Sequence, residues 1–103
     1  NEFEARVAGR VIAAGVTGYT SMIADAETAL VLAELSLAVV TKKGVDAVRY
    51  HDVKEFHPTE SFIIVRWGSR RVTLNITQCA RGDLTRFLHF AAQRMQIAGH
   101  ITN

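Results

Sequence analysis

The sequence contains few of the residues that mark special chemistry or an oxidising compartment. Among its 103 residues there is one cysteine, Cys79, and one proline, Pro58. A lone cysteine cannot form an internal disulfide, which excludes a small secreted disulfide scaffold. No apolar run reaches the ~18 uncharged residues that a transmembrane helix needs. We therefore expect a soluble, cytoplasmic protein.

The net charge and the chain length restrict the class of protein further. A net charge of +2 is too small to indicate nucleic-acid binding, and a hydrophobic content of 49% is typical of a folded globular protein. At this length we expect one domain over residues 1–103. The charges are uneven, since ten lysines and arginines accompany five acids beyond residue 40. That excess fits either ordinary surface variation or a basic binding edge.

Residues that could perform catalysis are not grouped in a recognisable motif. The histidines lack metal-ligand spacing, and Cys79 is near none of them in sequence. The glycines around residues 15–18 lack the spacing of a phosphate-binding loop. The sequence therefore predicts a protein that is not an enzyme and has no catalytic, metal-binding or cofactor-binding residues.

The clearest local pattern predicts a helix over residues 26–43. Asp25 suits a helix N-cap, Lys42 and Lys43 suit the last turn, and Gly44 suits the position just beyond it. No glycine or proline interrupts the segment. All the start and stop signals agree with one another.

Strands and a second helix are predicted on either side of this segment. Two short strands precede it, over residues 10–14 and 18–23, and three follow, over residues 46–57, 61–67 and 70–77, with Gly68-Ser69 as a hairpin turn. A closing helix has Asp83 as its N-cap and one face that carries Leu84, Phe87, Leu88, Ala91, Ala92 and Met95. The order β-β-α-β-β-β-α predicts an α+β fold, a five-stranded, mainly antiparallel sheet with helices on both faces.

The predicted helix over residues 26–43 is apolar on two opposite sides. One side carries Ala26, Ala29, Leu30, Ala33, Leu37 and Val40. The other carries Val31, Leu32, Leu35 and Val39. A helix of this kind is buried on both sides, and a small domain has no spare layer to cover the second one. We therefore predict a homodimer whose interface is the alanine-rich side; alternatively, the N-terminal ten residues or sequence beyond the given chain cover it.

Three stretches resemble the roadblock family of the dynein light-chain type. They are the predicted helix ADAETALVLAELSLAVV, the hairpin SFIIVRWGSRRVTLNI and the closing helix GDLTRFLHFAAQRM. The resemblance implies a roadblock-like (profilin-like) domain that dimerises through its long helices. It also implies a non-enzymatic regulator or scaffold for a small Ras-like GTPase or for a motor or trafficking complex. It identifies no individual binding residue.

A basic cluster at the tip of the predicted hairpin suggests a second function. Arg66 and Arg71 are expected to lie opposite each other, with Arg70 beside Trp67, and like charges in such positions repel. The cluster fits either a solvated tip with splayed side chains or a patch that binds an anionic partner.

An anionic-partner patch would suit a pleckstrin-homology-like module that binds phosphoinositides or peptides. Such a module also ends in a hairpin and a helix, and Lys42 and Lys43 would join the arginines in its site. It requires residues 29–40 to form two strands. Because the Asp25 and Gly44 signals favour a helix there, the roadblock-like dimer is our first prediction and the pleckstrin-homology-like module is the alternative.

Overall fold

Two antiparallel sheets and two helices make up the described part of the chain. A computed structural model describes residues 2–16, 18 and 20–98. In chain order the elements are helix α1 (Glu2–Ala13), strands β1 (Ser21–Ala24), β2 (Ala29–Leu32), β3 (Ser36–Thr41) and β4 (Gly44–Arg49), a 3-10 turn (Tyr50–Asp52), strands β5 (Val53–Pro58), β6 (Phe62–Trp67) and β7 (Arg70–Asn75), and helix α2 (Arg81–Ala98). Strands β1–β4 form one sheet and β5–β7 the other, both in sequence order. Neither of these helices is long and apolar enough to cross a membrane.

The predicted fold class is wrong. We expected one five-stranded sheet with a long helix between its second and third strands, whereas the structure has a four-stranded and a three-stranded sheet. Residues 26–43 form most of the β1–β2 turn, the hairpin of β2 and β3, and the β3–β4 turn. In that hairpin Leu30 pairs with Val39, and Leu32 pairs with Leu37. The apolar segment is therefore two strands, and the predicted order of elements does not occur.

Asp25 and Gly44 stabilise turns rather than helix ends. Oδ1 of Asp25 accepts hydrogen bonds from the backbone N–H groups of Glu27 and Thr28, both at 2.8 Å. An aspartate makes the same short-range bonds in a turn and at a helix N-terminus, so its presence does not separate the two. Gly44 has a φ of +147° where β4 begins, a conformation that residues with a Cβ rarely adopt. Asp25 and Gly44 are therefore each compatible with a helix end and with a turn, and they do not distinguish the two.

The turn between β2 and β3 contains no residue that signals a turn. It runs through Glu34 and Leu35, and the backbone N–H of Ala33 donates to the carbonyl of Ser36 at 3.0 Å. Without glycine, proline, asparagine or aspartate here, the two strands look like one uninterrupted apolar segment. Leu35 is 76% exposed, so it does not belong to a buried apolar face.

The second half of the chain follows the sequence prediction more closely. The hairpin of β6 and β7 is confirmed, with Trp67 opposite Arg70 across the Gly68-Ser69 turn. The closing helix is also confirmed, although it begins at Arg81 rather than after Asp83. Residues 46–57, predicted as one strand, form most of β4, the 3-10 turn and most of β5.

The two strands predicted over residues 10–14 and 18–23 agree less well with the structure. Residues 10–13 belong to α1, so the strand predicted over residues 10–14 is wrong. The strand predicted over residues 18–23 overlaps β1 from Ser21 onwards, and residues 17 and 19 lie outside the described residues.

Helix α1 covers the outer face of β2 and β3. Val7 and Val11 of the helix, with Val16 beyond it, pack against a row of strand residues, Ala29, Val31, Ala33, Ala38 and Val40. The alternative expectation had residues 1–10 cover one side of a helix, whereas Val7, Val11 and Val16 cover one face of two strands. The opposite face of the same strands is also buried, so β2 and residues 37–40 of β3 are apolar on both faces, as in strands covered on both sides.

The residues of the predicted dimer interface lie inside one chain. Five of them are at most 2% exposed, namely Ala29, Leu30, Ala33, Leu37 and Val40. The sixth, Ala26, is exposed in the β1–β2 turn. The helix that would have carried this interface is not formed, and the five buried side chains offer no surface to a second copy.

The main core lies between the two sheets and α2. The helix contributes Phe87, Ala91 and Met95, and the sheets contribute residues that include Leu30, Leu37, Val53, Ile63, Val65 and Leu74. All of these are at most 1% exposed. On the outer face of the second sheet no helix of the described chain covers Phe62, which is 42% exposed. The expected single sheet with helices on both faces therefore does not occur.

Val11→Ala should lower the free energy of unfolding by about 2 kcal/mol. Val11 is 1% exposed, so the change removes two buried methyl groups from the α1–sheet contact. Ile12→Ala is the matched control, because Ile12 is 64% exposed on the same helix and its truncation should change stability by less than about 0.5 kcal/mol. Urea unfolding measures both values. Equal effects of the two substitutions would contradict the packing of α1 on the sheet.

Tyr50 ties the end of β4 to the turn between β2 and β3. Its hydroxyl donates to the carbonyl of Ala33, and the residue is 8% exposed. Burial raises the pKa of Tyr50 to about 12, while Arg94 acts in the opposite direction. The unfolded chain loses this proton near pH ~10. The contribution of Tyr50 to stability is therefore complete below pH ~10 and is lost as the pH rises towards 12.

Tyr50→Phe separates this contribution from other effects of alkaline pH. At neutral pH the variant should be about 1–2 kcal/mol less stable, because the Ala33 carbonyl loses its partner. Between pH 10 and 12 the native protein should lose roughly 2 kcal/mol more than the variant does. Urea unfolding across this range is the measurement, and parallel losses in both proteins would show that Tyr50 is not the titrating group.

Candidate functional site

Three turns meet at one end of the molecule and enclose a cleft. They are the β1–β2 turn, the β3–β4 turn and the β6–β7 turn. The cleft has a volume of about 280 Å³. We call it the basic cleft, and it is lined by Glu27, Thr28, Thr41, Lys42, Lys43, Asp46, Trp67, Arg70, Arg71 and Val72. Residues from both sheets therefore contribute to one site.

Positive charge dominates the basic cleft. Its four cations, two lysines and two arginines, accompany two carboxylates, Glu27 and Asp46. Among the described residues, Lys43 and Arg71 have no ion-pair partner. The cleft is therefore bordered by two unpaired and two paired cationic residues.

The two ion pairs in the cleft are weakly held. Nζ of Lys42 lies 3.8 Å from Oε1 of Glu27, and the two side chains are 81% and 73% exposed. Nη1 of Arg70 lies 3.0 Å from Oδ2 of Asp46, with side chains 53% and 41% exposed. Surface pairs of this kind contribute ~0–1 kcal/mol. A phosphate can therefore replace a carboxylate as the partner at little cost.

Hydrogen bonds hold the three turns in place. Nζ of Lys54 on β5 donates to the carbonyl of Gly68 at 3.0 Å, which fixes the β6–β7 turn. The backbone N–H of Lys43 donates to Oγ1 of Thr41 at 3.2 Å. Oδ2 of Asp25 accepts from the backbone N–H of Asn75 at 2.9 Å, so the β1–β2 turn is tied to the end of β7. Each of the three turns that border the cleft is thus held by a side-chain hydrogen bond.

The structure divides the predicted arginine patch. Arg66 and Arg71 are cross-strand partners, and so are Trp67 and Arg70, as the hairpin register predicts. Alternation along the strands places the first pair on the face opposite the second. Arg70 and Arg71 line the basic cleft, whereas Arg66 does not and instead lies 3.7 Å from Glu55. Lys42 and Lys43, named for the pleckstrin-homology-like alternative, join Arg70 and Arg71 in the cleft.

Trp67, Glu27 and Asp46 are cleft residues that the sequence analysis did not assign. Trp67 is half-buried and lines the basic cleft and also a neighbouring surface depression beside β4. The predicted hairpin placed it beside Arg70 but gave no sign that it lines a cleft. Glu27 was predicted in the helix and Asp46 in the strand over residues 46–57, and neither prediction placed its residue beside the hairpin tip.

Other candidate chemistry finds little support. In the described residues no group of three or more histidine, cysteine or acidic side chains could hold a metal ion. Burial raises the pKa of the Cys79 thiol, and the Asp25 and Asp83 carboxylates act in the same direction. A nucleophilic cysteine needs a lowered pKa, so the environment of Cys79 disfavours the reactive thiolate.

Comparison with known proteins found no matching family model, no matching curated protein and no matching solved structure.

Asp25→Ala should lower the free energy of unfolding by about 2 kcal/mol. The carboxylate accepts three backbone hydrogen bonds, from Glu27, Thr28 and Asn75, and alanine accepts none. Asp25→Asn is the matched control, because its amide oxygen keeps the bonds made by Oδ1 and only the bond to Asn75 is lost. We expect about half the effect for it. A larger loss in the asparagine variant, measured by urea unfolding, would contradict the capping role.

Proposed function

We propose that this chain is a pleckstrin-homology-like binding module whose basic cleft holds a phosphorylated headgroup of the phosphoinositide type. The observation that carries the proposal is the convergence of four cations, Lys42, Lys43, Arg70 and Arg71, from two turns on one cleft. Phosphate oxygens accept hydrogen bonds from both lysine and arginine, and arginine can donate two at once.

The order of strands and helices along the chain supports this function. The pleckstrin-homology-like alternative required two strands over residues 29–40, and β2 and β3 occupy them. It also required a closing hairpin and helix, which are β6, β7 and α2. One of the three stretches that carried the roadblock resemblance was a helix over residues 26–43, and that helix is not formed.

Charge and exposure favour a phosphate over an uncharged ligand. Removing Lys43 or Arg71 from water would be unfavourable without an anionic partner, and neither has one among the described residues. A headgroup with more than one phosphate can bind these two cations and displace Glu27 from Lys42. The half-buried Trp67 supplies an apolar wall beside the cations.

Vesicle co-sedimentation tests the proposal directly. The native protein should bind phosphatidylcholine vesicles that contain a phosphatidylinositol bisphosphate and should not bind phosphatidylcholine alone. Lys42→Ala combined with Lys43→Ala should weaken binding by roughly 30-fold, because each basic residue near an anionic surface contributes ~1 kcal/mol. Raising the salt concentration should weaken it further.

Arg66→Ala is the matched control. Arg66 lies on the same hairpin, carries the same charge as Arg71 and does not line the cleft. Its removal should weaken binding less than fivefold, the effect of one diffuse surface charge. Equal losses in the control and the double variant would show attraction by net charge alone. Binding of an acidic peptide but not of the vesicles would replace the headgroup with a peptide ligand.

The homodimeric regulator of a small GTPase stays a prediction. No described contact favours it, and five of the six residues named for its interface are buried inside the chain.

A further inference from the structure

A second cleft lies on the other side of the β3–β4 turn, against helix α1. It has a volume of about 190 Å³. Its lining residues are Arg6, Val7, Arg10, Ala26, Glu27, Ala29, Val40 and Lys42. We call it the helix cleft. It shares Glu27 and Lys42 with the basic cleft, so the two clefts are neighbours on one end of the molecule.

Three cations and one carboxylate line the helix cleft. Arg6 and Arg10 are four residues apart on α1, so their side chains lie on the same side of the helix, where like charges repel. Glu27 is the one acid in the lining, and it already lies 3.8 Å from Lys42. The excess of two positive charges matches that of the basic cleft. Two arginines and a lysine around one opening form a site that only an anion can neutralise.

Arg10 is held in position for this role. Its Nη2 donates to the carbonyl of Thr41 at 2.7 Å, which fixes the guanidinium next to the β3–β4 turn. One bond uses one of its five N–H donors, and the others remain for a ligand. Arg6 is exposed and has no ion-pair partner among the described residues. The cleft therefore combines one hydrogen-bonded guanidinium with one that is exposed and makes no ion pair in the described chain.

We infer that the helix cleft is a second phosphate-binding site, in which Arg6, Arg10 and Lys42 hold a phosphate group beside the one in the basic cleft. The inference extends the proposed function, since it assumes that this end of the protein faces phosphate groups. Together the two clefts gather half of the twelve lysines and arginines of the chain. A surface with closely spaced phosphates, such as an anionic bilayer, would fill both clefts at once.

The test uses Arg6→Gln, alone and with Arg10→Gln. Arg6 is exposed and makes no ion pair in the described chain, so the single variant should fold as the native protein does. Its binding to vesicles of phosphatidylcholine and phosphatidylserine should weaken roughly fivefold, and that of the double variant roughly 25-fold. Arg86→Gln is the control, because Arg86 is exposed on α2 and lines neither cleft. It should leave binding within twofold of the native value.

A variant that lacks two residues of the basic cleft, called the background variant, separates binding at the helix cleft from binding at the basic cleft. Lys43→Ala with Arg70→Ala removes residues that line the basic cleft only. In that background, inositol hexakisphosphate should still bind, and adding Arg6→Gln should weaken that binding about fivefold or more. If Arg6→Gln weakens binding both to inositol hexakisphosphate and to vesicles, the cleft is a site for any phosphate group. If it weakens binding to vesicles alone, the cleft is a site for bilayer headgroups.

Two results would overturn the inference. One is an Arg6→Gln effect no larger than that of Arg86→Gln in both the vesicle and the soluble arms. The other is complete loss of phosphate binding in the background variant, which would leave the basic cleft as the sole site. If the background variant binds normally and only the arginine variants fail, the helix cleft stands and the proposed basic cleft does not.

Discussion

The burial of β2 and β3 on both faces is the constraint on which the rest of the structure depends. Eight of the ten residues in these two short strands are apolar, they lie on both sides, and each side needs its own cover. The inner side is covered by the second sheet and α2, and the outer side by α1. Each large side chain left in water would cost roughly 1.5–3 kcal/mol. The N-terminal helix is therefore part of the folding unit rather than an appendage.

The same two-sided burial explains which part of the fold the sequence could predict. The hairpin of β6 and β7 has a glycine turn and one buried face, so its register was predictable residue by residue. Helix α2 has one apolar stripe and was also predictable. Strands β2 and β3 have no alternation, because both faces are buried, and the Glu34-Leu35 turn has no turn residue. Their pattern fits a doubly buried helix equally well.

Local sequence patterns could not show that the cations of the basic cleft lie together. Lys42 and Lys43 looked like the end of a helix, and they are the tip of a hairpin; in both structures lysines suit an exposed end. Their convergence with Arg70 follows from pairing between strands far apart in sequence, which local patterns do not report. Only the pleckstrin-homology-like alternative supplied that long-range information, and it grouped these cations. The sequence did not indicate that Arg6 and Arg10 line a common cleft, because Arg10 was predicted to lie in a strand.

The geometry of α1 joins stability to the candidate site. Val7 and Val11 are four residues apart, as are Arg6 and Arg10, so the two pairs form adjacent rows on the helix. Burial of the valines against β2 and β3 sets the rotation of α1, and that rotation places the arginines at the edge of the buried face, beside Lys42. A ligand held by the arginines favours the packed helix by mass action. Packing of the outer sheet face and the position of Arg6 and Arg10 at the helix cleft are thus two consequences of one helix orientation.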